Sequence, residues 1–149
     1  MTEKKLWDVL QKLRDTCIIS EEKIRSALHL THAEYFAVGC MRSEEKINCR
    51  ELAKRMGLSL SRCSRIVDRL HEKGFIARED CVNDRRCREL SLSPKGLSTK
   101  KEIDKLRDEC ETRLSQAYPG DKLKVLFKDL EGLVQRLEES NRMRLTDES

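Results

Sequence analysis

Arg62, Arg65 and Arg69 recur at three- and four-residue steps, interleaved with Ser59, Ser61 and Ser64. On a helix, residues so spaced gather on one face and its flanks. A guanidinium group presents a planar fork of N–H donors that matches a guanine edge or a phosphate, and short hydroxyls let a helix approach closely. The chemistry to expect of such a face is polyanion binding; a merely solvated arginine-rich surface is the alternative. A second charged group follows in REDCVNDRRCREL, from Arg78 to Leu90, where four arginines, two aspartates and two cysteines surround an Asn-Asp pair. It is too charged for a core element and too tightly framed by apolar residues for a linker.

Charge is unevenly spread. From Arg50 to Lys100 there are 13 Lys/Arg against seven Asp/Glu, a balance of +6 in a chain of net charge +4, which leaves −2 for the remainder. A basic middle between near-neutral flanks points to a polyanionic partner for that middle. With 39% charged and only 4% aromatic residues in 149, one deep core is thinly supplied. Several amphipathic helices completing their burial against a second copy fit that composition better. No apolar run approaches a membrane span and the start carries charges in every turn, so a cytoplasmic protein is expected. The seven cysteines include no CxxC spacing, and His29, His32 and His71 are scattered, so neither a zinc site nor any cofactor is expected. No His or Asp/Asn stands at a spacing that supports a cysteine nucleophile, and catalytic residues are therefore not assigned.

The elements that must position these residues can be read from capping and periodicity. Leu6, Val9, Leu10, Leu13 and Cys17 form one face of a first helix, and Ile24, Ala27 and Leu28 lie in a second piece that can be continuous with it. Thr31 and Glu34 have capping-box spacing ahead of the buried helix YFAVGCM, and Ile47 reads as a short strand. Asn48 can cap NCRELAKRM, with Gly57 as its left-handed stop and Leu52, Ala53 and Met56 buried. Only Leu58 separates that glycine from Ser59, the cap of LSRCSRIVDRLHEK, which closes at Gly74. Two short helices joined by a tight glycine-containing turn make a helix-turn-helix. In its second helix Cys63, Ile66, Val67 and Leu70 share the core face, and Ser61, Arg65, Asp68 and Arg69 lie opposite, flanked by Arg62 and Ser64.

The charged segment then reads as a β-hairpin with its turn at Asn83-Asp84. Placed directly behind the helix-turn-helix, it can carry an arginine into a minor groove while the second helix occupies the major groove of double-stranded DNA. If Ile76 pairs with Leu92, continuing the register sets Cys81 opposite Cys87, a candidate redox pair. Ser93 and Pro94 restart a helix with a narrow stripe of Leu97, Ile103, Leu106, Cys110 and Leu114. YPGD breaks it, and Leu123, Leu126, Phe127, Leu130, Leu133, Val134 and Leu137 follow as a strong stripe. The fold class is mostly α with a small β-hairpin wing. Residues 30–93 are expected to form a winged helix-turn-helix, and residues 1–29 and 94–149 dimerisation helices. A coiled-coil interaction domain, or a winged helix used only for protein assembly, are the alternatives.

The run LTHAEYFAV…INCRELAKRMGLSLSRCSRIVDRLHEKGFIARE…NDRRCRELSLSPKG resembles the MarR/SlyA family of bacterial regulators, closely from Thr31 to Gly96. The turn L-A-x-x-x-G-L-S, the run V-D-R-L-x-x-K-G and D-R-R shortly before L-S-x-x-G carry the likeness. It implies an obligate homodimer on pseudopalindromic operators, with repression relieved by a small-molecule effector or an oxidant. By position, Ser61, Arg62 and Arg65 would read or brace the major groove. Asp84, Arg85 and Arg86 match the wing motif, with one arginine in the minor groove and Asp84 holding an arginine in place. Two departures stand out. The segment before LTHAEY is shorter than the family's usual one, and the oxidant-sensing position of one branch falls near Trp7, not Cys17. No residue is assigned to an effector, although His29, His32, Tyr35 and Cys40 fall near the family's pocket region.

Overall fold

The computed structural model describes residues 5–147, and of residues 84–87 and 144–147 it describes the backbone only. Helix α1 (Leu6–Leu28) is continuous. No glycine or proline interrupts its two apolar pieces, and it stops at His29, which takes the left-handed conformation at φ 53°. Helix α2 (His32–Cys40) opens on the anticipated capping box: Glu34 N–H donates to Thr31 Oγ1 at 3.2 Å, and Thr31 N–H to Glu34 Oε2 at 2.9 Å. Asn48 caps α3 (Cys49–Met56) by accepting from Glu51 N–H at 2.8 Å, and Gly57 ends it at φ 64°. Ser59 caps α4 (Leu60–Glu72). Beyond that helix Gly74, at φ 81°, turns the chain so that Phe75 N–H reaches Leu70 O.

Strands β1 (Ile76–Cys81) and β2 (Asp84–Leu92) pair antiparallel, and Ile47 adds an isolated bridge to Leu90. The anticipated register holds from Ile76–Leu92 to Asp80–Arg88. It then slips. Cys81 pairs with Asp84, so the turn is Val82-Asn83 rather than Asn83-Asp84, and three residues of β2 are accommodated in the irregularity. A two-residue hairpin loop is the short closure that antiparallel strands favour, and a bulge lets both strands keep their pairing on either side of it. Cys81 therefore does not face Cys87 in the ladder. Cys81 is disulfide-bonded; the side chain of Cys87 lies outside the described residues, as do those of Asp84, Arg85 and Arg86.

Helix α5 (Pro94–Ala117) starts at Ser93, whose Oγ accepts from Gly96 N–H and donates to Gly74 O. The chain divides into two compact units, Met1–Lys105 and Leu106–Ser149, with α5 crossing between them. In the first, one core joins Tyr35, Val38 and Met41 to Leu52 and Met56, to Cys63, Ile66, Val67 and Leu70 of α4, to Phe75, Ile76, Leu90 and Leu92, and to Ile103. The four positions expected to form the buried face of α4 are all in it. Along α1, by contrast, Leu6, Trp7, Val9, Leu13 and Ile19 are more than half exposed. The second unit holds the end of α5 and α6 (Asp121–Asp147). There Val125, Phe127, Leu130, Val134, Leu137 and Met143 stand exposed along one helix. No described helix is long and apolar enough to cross a membrane.

Candidate nucleic-acid interface

The core face of α4 fixes its outward one. With Cys63, Ile66, Val67 and Leu70 buried, Ser61, Arg62, Arg65, Asp68 and Arg69 emerge exposed and Ser64 half-buried. Most other described arginines of the first unit are spoken for. Arg55 forks onto Glu45, with its Nη1 and Nη2 at 2.5 and 3.0 Å from the two carboxylate oxygens. Arg25 pairs with Glu22 at 2.8 Å, Arg78 pairs with Asp68, and Arg88 lies 3.8 Å from Asp80. Arg62, Arg65 and Arg69 make no side-chain hydrogen bond or ion pair with any described residue. Arg62 and Arg65 therefore lie uncompensated by any described residue on the exposed helix face, and Arg69, whose charge also acts on Glu34, lies beside them. Ser59 stands apart from them, because its Oγ is engaged in capping and accepts from Arg62 N–H.

Two connections lock this helix in place. On its wing side, the Arg78–Asp68 pair ties β1 to α4. Asp68, which the helical wheel sets on the outward face, thus also serves as a strut. At its C-terminal end Lys73 reaches back: its Nζ donates to His29 O and to Glu34 Oε2, each at 2.7 Å. Glu34 is completely buried, so burial pushes its proton affinity up. The Lys73 and Thr31 hydrogen bonds and the charges of Lys73 and Arg69 outweigh that, and its pKa falls below 4.5. The capping box is legible from Thr31 and Glu34; the second duty of Glu34, to hold the C-terminal end of α4, depends on a residue 39 positions away. Glu34→Gln should cost about 1–3 kcal/mol at neutral pH, since it breaks a buried charge-assisted bond. A group whose pKa is depressed on folding contributes above its unfolded value and loses that contribution as pH falls. The melting-temperature gap between wild type and Glu34→Gln should therefore shrink as pH drops below 4.5. A pH-independent gap would contradict this account.

Between α3, α4 and the hairpin lies a cleft of about 410 Å³. Leu60, Val67 and Leu90 form apolar walls, and Arg50, Arg78 and Arg88 are among its polar lining. Local spacing cannot reveal it, because its lining residues come from two helices and both strands of the hairpin. Three of the residues near the family's pocket region have structural roles. His32 Nδ1 bonds Glu21, Tyr35 is core, and His29 forms the left-handed cap of α1. Among the described residues no group of three His, Cys, Asp or Glu side chains is placed to hold a metal ion.

Comparison with known proteins gives a consistent result. The model of the MarR family matches residues 30–88. The chain is 28% identical over 122 residues to the transcriptional repressor MprA of Escherichia coli, spanning 80% of this chain and 69% of that one. Among solved structures, a crystal structure of MarR superposes with a TM-score of 0.68 at 26% identity, covering 97% of this chain and 96% of the other. FabT of Streptococcus pneumoniae, solved in complex with DNA, gives a TM-score of 0.76 at 19% identity, covering 88% and 93%. The last shows a shared fold: the winged helix.

Proposed function

We propose, from the match of residues 30–88 to the model of the MarR family, that this chain is a transcriptional regulator of that family and not an enzyme: a homodimeric repressor which binds a pseudopalindromic operator in double-stranded DNA. Residues 30–93 grip the DNA; residues 1–29 and 94–149 supply the dimer contacts. Ser61, Arg62, Ser64, Arg65 and Arg69 face the major groove and its phosphates, with Ser59 bracing the start of the helix. Asp84, Arg85 and Arg86 belong to the wing, one arginine entering the minor groove. A small-molecule effector or thiol oxidation, including at Cys81 and Cys87, releases the DNA.

The observation that carries this reading is the row of arginines on α4 left without a hydrogen bond or ion pair to any described residue, beside arginines that are paired. Such a row costs stability by self-repulsion unless a polyanion neutralises it. The test is to select duplexes from a random pool on the full chain and titrate salt. Six or more neutralised phosphates predict an affinity loss on the order of a thousandfold between 50 and 200 mM salt. Arg65→Ala should cost about 1–3 kcal/mol and relax preference at one base position. Binding that ignores salt, or undiminished binding by Arg65→Ala, Arg85→Ala and Arg86→Ala alike, would refute the assignment.

A further inference from the structure

Three cysteines converge where α2, α3 and α4 meet, and the DNA-binding face uses none of them. Cys63 is fully buried on the core side of α4. Its Sγ lies 3.6 Å from Cys49 O, the Cys49 thiol is in hydrogen-bonding contact with it, and Cys40 is close by. Cys49, the first residue of α3, is half-buried and lines the cleft between the recognition helix and the wing. All three are free thiols. One member of the contacting pair is thus reachable by a small reagent, and its partner is sealed directly behind it. A soft metal is the poorer match, because among the described residues no third ligand is placed to complete a site, and the cleft is lined by Arg50, Arg78 and Arg88 against the single carboxylate of Asp68.

We propose that Cys49 and Cys63 are a redox couple that closes into a disulfide on exposure to hydrogen peroxide, stapling α3 to α4 beneath the recognition face. The effect on DNA rests on the function proposed above and gives its thiol-oxidation arm a definite site. The Cys49 thiolate attacks one peroxide oxygen and the O–O bond breaks. Sulfur is oxidised by two electrons to the sulfenic acid, and the departing hydroxide becomes water by taking up the proton that Cys49 released on ionising. Cys63 sulfur then attacks the sulfenic sulfur, the S–O bond breaks, and the hydroxyl leaves with the Cys63 proton as water. In total two thiols and one peroxide yield one disulfide and two waters. Burial, with the neighbouring Cys49 and Cys40 thiols, pushes the Cys63 pKa up to about 12. Cys63 is therefore inert as a first nucleophile and acts as the resolving thiol. An S–S bond of about 2.05 Å is far shorter than a thiol contact, so closing it draws α4 towards the start of α3. Arg62, Arg65 and Arg69 move with that helix.

The test treats the full reduced chain with hydrogen peroxide and maps unreduced tryptic peptides. Ile47–Arg50, which holds Cys49, and Cys63–Arg65 are separate from the peptide containing Cys81. The expected product is the cross-linked pair of peptides. Affinity for a selected duplex should fall at least about tenfold and return on addition of dithiothreitol. Cys49→Ser and Cys63→Ala should bind DNA when reduced and keep that affinity through the peroxide step. The proposal is overturned if the two peptides stay unlinked, if linkage leaves affinity unchanged, or if both variants remain as peroxide-sensitive as wild type. Should the reduced chain retain no duplex at all, the DNA-binding reading fails, and peptide linkage alone then decides the couple. If Cys63→Ala does not fold, Cys49→Ser, which alters a half-buried site, carries the comparison.

Discussion

Gly96→Ala is expected to destabilise the first unit by about 2–3 kcal/mol, the range in which forced overpacking falls. The position reads on paper as a place where alanine would help, since Gly96 lies in the first turn of α5 and alanine is the better helix former by about 1 kcal/mol. The packing reverses that sign. A Cβ at Gly96 would fall well inside van der Waals contact of the Phe75 carbonyl oxygen and 3.2 Å from Leu92 Cδ2. The carbonyl cannot swing aside cheaply. It accepts from Ser93 N–H at 3.0 Å, and Phe75 itself is fully buried. Either α5 lifts from the hairpin root or the Ser93 bond is lost. Urea denaturation should show the shift in midpoint with an unchanged slope, and heat denaturation a fall on the order of 10 °C. A variant as stable as wild type would mean that the root of the wing is looser than this packing implies. Because Phe75 and Leu92 sit at the base of the hairpin, DNA affinity should suffer as well.

Gly96 also illustrates what could be read from the chain and what could not. Its place in SPKG marked a helix start, and the cap at Ser93 followed from residue type alone. The same holds for Thr31, Asn48, Ser59, Gly57 and Gly74, where capping and left-handed geometry act over three or four residues. The outward row of arginines on α4 was equally legible, because helical periodicity needs only local spacing. Failures began where geometry depends on distant residues or on a slip of one strand. The hairpin register was right at its root and wrong at its tip, since alternation cannot reveal a bulge. Helical spacing predicts Cys63 as core, and it is buried; its contact with Cys49 is set by the crossing of α3 and α4, which spacing does not encode. The hold of Lys73 on Glu34 is hidden from spacing for the same reason.

The largest functional loss should come from a surface far in sequence from the arginines. Val125, Phe127, Leu130, Val134, Leu137 and Met143 are exposed along α6. Phe127, Leu130, Val134 and Leu137 share one face of the helix; fully burying side chains of this kind is worth about 1.5–3 kcal/mol each, so four of them on each of two copies are of the size needed to offset an association cost of roughly 4–15 kcal/mol. No solitary soluble chain gains from leaving such a stripe in water. Leu130→Glu combined with Val134→Glu puts two carboxylates into that stripe at helical spacing. The double variant is expected to run at the mass of one chain in sedimentation, where wild type runs at two, with its winged helix still folded by circular dichroism. Its affinity for a pseudopalindromic duplex should drop about 100-fold or more, because two half-sites would then be bound independently and the effective concentration supplied by the first contact disappears. Arg65→Ala removes one contact per half-site; the α6 charges remove the linkage between half-sites. If the double variant stays dimeric and binds normally, the stripe has another occupant and the proposed pairing of subunits is wrong. If it becomes a monomer without losing affinity, the operator is read by one copy alone.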